Sequence, residues 1–226
     1  MNAFNINVYI LLPLLFVLAY LIIRFVQEYV RPGRKLAQEL KLLAHRIRSI
    51  KSDESLSESA VGARELLEKT ISDSPINSSL EHLWSEYTET LHAVRGDEGE
   101  IIDVRATMSS GEFFTKYSVI DLEIRADFFK HLPGILTGVG IIATFVGLIV
   151  GLGHYDTQDP DTLELLIREV FSAFVGSCTA IVAAICITYF EKKILRDCYA
   201  NLNTFVRSID TLFDEGVGEE YLSRMV

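Results

Sequence analysis

Charge is missing from three long stretches of this chain. Its 226 residues include 21 Lys+Arg and 31 Asp+Glu, yet none of these, and no histidine, falls in residues 1–23, 132–153 or 170–190. A helix rises about 1.5 Å per residue, so an uncharged run of about 20 residues matches the roughly 30 Å hydrocarbon core of a bilayer. Such segregation excludes a simple cytosolic enzyme, and it excludes a porin-type barrel, whose strands are short and alternating. Cysteine is scarce: Cys178 and Cys186 lie inside the third block and Cys198 just after it. They read as small apolar residues, which excludes a disulfide scaffold. Phosphate loops, metalloprotease motifs and nucleophile–base pairs are also absent, so nothing supports an enzyme.

The charges that are present set a topology. After the first block come Arg24, Arg31, Arg34, Lys35, Lys41, Arg46, Arg48 and Lys51, against only Glu28 and Glu39. Positive charge marks the cytoplasmic side of a crossing. A cleaved signal peptide carries its basic residues in front and a small-residue cleavage site behind, and this block has neither. Residues 1–26 are therefore expected to be a first transmembrane helix with its N-terminus outside. Residues 27–131 form a cytoplasmic helical region, 132–153 a second crossing, 154–169 a periplasmic hairpin and 170–190 a third crossing. Residues 191–226 form a cytoplasmic C-terminal helix. The hairpin is short and acidic (Asp156, Asp159, Asp161), and the third crossing ends on Glu191-Lys192-Lys193, a basic edge. The net charge of −10 describes the solvated region and gives no sign of nucleic-acid binding.

Within 27–131 the spacing predicts helices throughout. Leu36, Leu40, Leu43, Ile47 and Ile50 share one face, and Leu80, Leu83, Trp84, Tyr87, Leu91 and Val94 another. Capping boxes start at Ser55, Ser78 and Ser109, and Gly96 and Gly99 close the helix after Val94. Residues 101–107 are too short to assign. From Phe113 through Ile120, Ile124 and Phe128 an apolar stripe leads to the second crossing. Beyond Phe190, Leu195, Tyr199, Leu202, Val206, Ile209 and Phe213 continue a helical seam suited to packing on neighbours. Helices of this kind need partners, which predicts a homo-oligomer.

The first crossing is rich in Leu, Ile and aromatics, as a lipid-facing anchor is. The other two are rich in small residues, including Gly134/Gly138, Gly147/Gly151, Gly176/Ala180 and Ala180/Ala184, which let helix backbones approach closely. Thr144 lies nine residues from Gly153 and Ser177 seven from Val170, so their depths are roughly 14 and 11 Å. Antiparallel crossings put the two hydroxyls near one level, and an oligomer makes them a ring able to bond water or a titrating group. The plainer alternative is that each hydroxyl bonds a carbonyl one turn back in its own helix. With no titratable side chain inside any crossing, a second protein has to carry the proton of any proton-coupled device.

Residues 132–148, Leu-Pro-Gly-Ile-Leu-Thr-Gly-Val-Gly-Ile-Ile-Ala-Thr-Phe-Val-Gly-Leu, resemble the signature of the MotA/TolQ/ExbB proton-channel family. In that signature a Gly-rich helix ends in a Gly-Thr-Phe-x-Gly-Leu-like run, and here Ala143 stands at the Gly before Thr144. Residues 173–181, Ala-Phe-Val-Gly-Ser-Cys-Thr-Ala-Ile, are similar to the family's Ala-Leu-x-x-Thr-Ala segment, with Ser177 at the Thr position. Three crossings with a long insert look more like TolQ and ExbB than four-crossing MotA. The approach from Phe113-Phe114 through Arg125-Ala126-Asp127-Phe128-Phe129 is most similar to the ZorA branch, the motor subunits of Zorya anti-phage defence.

The resemblance implies an all-α protein of the bacterial inner membrane. It would have three transmembrane helices with long cytoplasmic extensions, assembled as a homopentamer around the single-span helices of a ZorB-like partner dimer. The partner would supply a membrane Asp and a peptidoglycan-binding domain. Thr144 and Ser177 would face that Asp on the proton pathway, with Gly140, Ala143, Gly147, Gly151, Ala173, Gly176 and Ala180 packing the helices and lining the pore. Protons would be the coupling ion, with no cofactor required, and their passage would drive rotation. ZorA chains normally continue into a long helical tail, so residues 191–226 would be its start.

Two weaker sites remain. His82, Glu86 and Glu89 follow i, i+4, i+7 spacing on one predicted helix, where Glu86 and Glu89 suit a structural Ca²⁺ if other oxygens complete the shell; a solvated polar face is the plainer reading. Asp156, Asp159 and Asp161 suit either a cation, the partner, or an ordinary loop. The competing functions are a TolQ/ExbB-like energy transducer and a non-conducting helical scaffold or sensor.

Overall fold

The computed structural model describes residues 16–52, 60–72, 77–95, 101–156 and 158–213. Residues 1–15 of the expected first crossing, and the capping box at Ser55, lie outside them. The chain is largely helical and divides into two compact units, residues 1–31 with 125–193 and residues 32–124 with 194–226.

In the first unit, helix α1 covers residues 16–25 and passes into a π turn at Val26–Val30, where the Arg31 N–H reaches the Val26 carbonyl. Pro32 follows, and a proline has no N–H to give to the preceding turn, so a widened turn beside it is the expected adjustment. Helix α5 (Ala126–Gly153) and the first part of α6 (Asp161–Asp210) are both long and apolar enough to cross a membrane. Their outer faces leave Ile142, Phe145, Ile149, Phe171, Phe174 and Ile185 exposed, a surface suited to lipid or another subunit rather than water. Phe25, Tyr29 and Phe129 form a three-ring cluster with centroids 5.2 to 5.7 Å apart, and the Tyr29 hydroxyl donates to the Glu191 carbonyl at 3.4 Å.

The second unit holds α2 (Arg31–Ser52) from Pro32 onward, α3 (Ala60–Ser72), α4 (Asn77–Thr88), an antiparallel hairpin of β1 (Leu91–Arg95) and β2 (Ile101–Ala106), and the last part of α6. Leu36, Leu40, Leu43, Ile47 and Ile50 are all buried, as their spacing predicts. The stripe on α6 is turned slightly from its expected position. Ile194, Cys198, Leu202, Phe205, Ile209 and Phe213 are buried, while Leu195, Tyr199 and Val206 are only half-buried. Trp84, Tyr87, Phe113, Phe114, Phe205 and Phe213 form a continuous aromatic cluster. A Cβ on Gly33 would stand 2.5 Å from Ile194 Cγ2, so only glycine allows α2 this close to α6. The Cys198 thiol donates to the Gly33 carbonyl at 3.3 Å. Burial, with the Asp197 charge adding to it, pushes that thiol up to about 12, so it stays protonated at neutral pH.

Three expectations need correction. The helix drawn through Leu91 and Val94 stops at Thr88, and Leu91–Arg95 is a strand. Leu91 and Val94 satisfy a helical spacing, but the N–H groups of Glu89 and Thr90 bond the carbonyls of Glu86 and Tyr87, tightening and ending the last turn. Thr107 then donates through both its N–H and hydroxyl to the Thr90 carbonyl, closing the hairpin. Residues 27–131, expected to be helical throughout, thus contain a two-stranded sheet that includes residues left unassigned. The stripe from Phe113 to Phe128 is also not one helix. It breaks into a 3₁₀ turn (Ser110–Glu112), a π turn (Tyr117–Asp121) and Arg125, whose φ of 49° is left-handed, before α5 starts. Finally, Ser78 lies inside α4 rather than ahead of it, whereas Ser109 does cap, accepting the Gly111 N–H at 3.2 Å on the 3₁₀ turn.

Candidate functional site

Glycines on α5 decide how α6 lies against it. A Cβ on Gly140 would come within 2.9 Å of Ala180 Cβ and 3.4 Å of the Ser177 backbone. One on Gly147 would run into Ala173, and one on Gly151 would stand 2.9 Å from Leu166 Cδ1 and 3.1 Å from Glu169 Oε2. The pairs Gly151/Glu169, Gly147/Ala173 and Gly140/Ala180 keep equal residue steps along the two antiparallel helices. Thr144, three residues inward of Gly147, is therefore level with Gly176, three residues inward of Ala173, and with Ser177 beside it. Among the small residues singled out in the sequence, Gly140, Gly151, Ala173, Gly176 and Ala180 are buried, and Ala143 and Gly147 are half-buried. Gly134 and Gly138 meet nothing within 4 Å and take no part in this contact.

The two hydroxyls share a level, but each bonds its own helix. Thr144 Oγ1 donates to the Gly140 carbonyl at 3.1 Å and Ser177 Oγ to the Phe174 carbonyl at 3.0 Å. A hydroxyl that donates backward keeps its acceptor lone pairs, so both can still receive a hydrogen bond from water or from a protonated carboxyl.

The weaker candidates form no complete ligand set within the described residues of this one chain. Because α4 ends at Thr88, Glu89 falls in the turn and the predicted His82–Glu86–Glu89 stripe is broken. His82 Nε2 lies 3.6 Å from Glu86 Oε1, and among the described residues no three His, Cys, Asp or Glu side chains come together as a metal site. The aspartates between α5 and α6 shape the loop: Asp156 Oδ1 accepts the Gln158 N–H and Asp159 Oδ1 the Asp161 N–H, at 2.9 and 3.1 Å.

One acidic residue takes part in the helix contact. Glu169, assigned to the exported hairpin, lies on α6, which starts at Asp161, and is only 3% exposed against α5. The same buried stripe continues through Ala173, Ser177, Ala180 and Ala184. That three-to-four-residue spacing was the available signal.

A family model described as the anti-phage protein ZorA of the Zorya type I system matches residues 7–226. Over 158 residues the chain is 44% identical to the Zorya protein ZorA of Escherichia coli O139:H28, an alignment covering 67% of this chain. The chain spans 22% of that relative's length.

Proposed function

The chain belongs to the family of ZorA-like anti-phage proteins of Zorya type I systems, and on that premise we propose that it is the membrane part of a proton-driven motor in anti-phage defence. The observation that carries this reading is the α5–α6 pair. It is a glycine-keyed contact with Thr144 and Ser177 at one level and no charged side chain in residues 132–153 or 170–190. Buried charge is costly in a bilayer, and a helix pair that keeps two hydroxyls with no charge at their level suits transient contact with a protonated group brought by another chain.

In this reading the copies form a pentamer in the bacterial inner membrane around a ZorB-like dimer. The partner's membrane Asp takes up a proton from outside, is screened by Thr144 and Ser177 while neutral, and releases the proton inward. Each transfer turns the ring about the partner. Protons are the coupling ion, and no catalytic residue is required.

Thr144→Ala and Ser177→Ala in the full-length protein, expressed with its partner, test this. Each should lower phage protection at least about tenfold while chain and partner still co-purify, since one hydrogen bond at a transfer step is worth about 1 to 2 kcal/mol. Full protection in the double variant would favour the non-conducting scaffold instead.

A further inference from the structure

Glu169 is the acidic group the motor reading leaves unused. Its side chain lies in the groove that Gly147 and Gly151 leave on α5: Gly151 is bare where a Cβ would meet Oε2 at 3.1 Å, and the Glu169 carbonyl lies 3.8 Å from where a Gly147 Cβ would be. Oε2 is sealed from solvent and has no hydrogen-bond partner among the described residues. A buried carboxylate oxygen left unpaired is costly unless it receives a positive counterpart. His154, the residue after α5, is half-exposed and sets its Nδ1 4.0 Å from that oxygen.

From this arrangement we propose that Glu169 is a proton-binding site of this chain itself, loaded from the outside through His154 at the hairpin end of the α5–α6 pair. The proposal rests on the motor reading, which it extends by a station on the path to the hydroxyl level. Gly151 lies seven residues outward of Thr144 and Glu169 eight outward of Ser177, so the station stands about 10 to 12 Å outside the hydroxyls. The ligand is a proton rather than a metal ion, because a hard cation takes six or more oxygens and no three candidate ligands gather here among the described residues.

His154 Nδ1 is 2.8 Å from the Val150 carbonyl. A carbonyl only accepts, so the neutral ring carries its proton on Nδ1 and leaves Nε2 to take one from water. Protonation at Nε2 makes the imidazolium. Movement of the ring by about 1 Å brings Nδ1–H within hydrogen-bond reach of Oε2, and transfer of that proton leaves the ring neutral with its proton on Nε2 and Glu169 as the neutral acid. Exchange of ring protons with water restores the starting tautomer. From the helix packed on Glu169, His154 is the titratable group facing it. On its own helix Arg168 is adjacent in sequence and Glu164 lies toward the hairpin.

The full-length protein with its partner, in native membranes, provides the test. Dicyclohexylcarbodiimide adds to protonated carboxyls in apolar surroundings, and mass spectrometry locates the adduct. Wild type should be labelled at Glu169, more at low external pH than at high. Glu169→Gln should lower phage protection at least about tenfold, whereas Glu169→Asp should retain most of it. Wild-type protection in Glu169→Gln alongside loss in Thr144→Ala would overturn the Glu169 site and leave the motor reading standing. Wild-type protection in both variants would overturn the motor reading too. Should Glu169→Gln fail to assemble, labelling of wild type decides: a pH-dependent adduct supports the site, and its absence overturns it.

Discussion

The first unit joins α5 to α6 through Gly140, Gly147 and Gly151 set against Ala180, Ala173 and Glu169, whereas the second closes around Trp84, Tyr87, Phe114, Phe205 and Phe213. The difference follows from the solvent each is suited to. In water, burying a large ring removes much apolar surface, and aromatic pairs add about 0.5–1.5 kcal/mol beyond that area. Between helices in lipid that driving force is missing, and close backbone approach over small residues supplies the contact. The second unit also fastens its loops with polar bonds. Asp210 accepts the Ser110 N–H at 2.8 Å and the Ser109 hydroxyl at 3.0 Å, and Tyr199 donates to Asp121 at 2.9 Å.

Removing bulk should therefore damage the second unit most, and adding bulk the first. Phe205→Ala should cost about 3–5 kcal/mol by opening a cavity beside Phe114. Thermal unfolding in detergent should show an earlier transition for the second unit, and an unchanged midpoint would break the comparison. Gly147→Val should cost about 1–3 kcal/mol or more by forcing α5 from Ala173. It is measured as a broadened elution profile and as lost co-purification with the proposed ZorB-like partner. If Gly147→Val elutes as wild type, the glycine contact does not hold the pair. The smallest effect is a gain: Arg125 holds a left-handed φ of 49°, so Arg125→Gly should stabilise the fold by about 1 kcal/mol, read as a raised unfolding midpoint. The lost ion pair with Glu28, 3.8 Å away and largely exposed on the arginine side, offsets little of that.

The sequence exposed α2 and the crossing-length helices because their signals are periodic and long. Leu36 to Ile50 form an unbroken stripe, and α5 and α6 are uncharged for over twenty residues. The hairpin was hidden because Leu91 and Val94 fit the helical period as well as a strand, and its closure depends on Thr107 reaching back to Thr90, which no local spacing reveals. The seam on α6 was drawn on a 3.5-residue repeat, and the drift of a straight 3.6-residue helix over this length turns Tyr199 and Val206 away in favour of Cys198 and Phe205. Glu169 was missed for a different reason. Charge had been used to mark where a crossing ends, so a charged residue buried on the same stripe counted as loop. For the candidate site, the common level of Thr144 and Ser177 was legible. The hydroxyls' own bonds, and the bare Gly151 opposite a carboxylate, required coordinates.

The equal stepping of Gly151, Gly147 and Gly140 against Glu169, Ala173 and Ala180 also limits how this pair can move. Shifting the register of α6 by one residue needs a slide of about 1.5 Å with a rotation of about 100°, and sliding it a full turn, about 5–6 Å, would set Gly147 against Glu169 or Ser177. The two helices are toothed like a rack, with no half positions. Whatever displaces one must carry the other, so the pair can pivot or translate as a single stave but cannot shear.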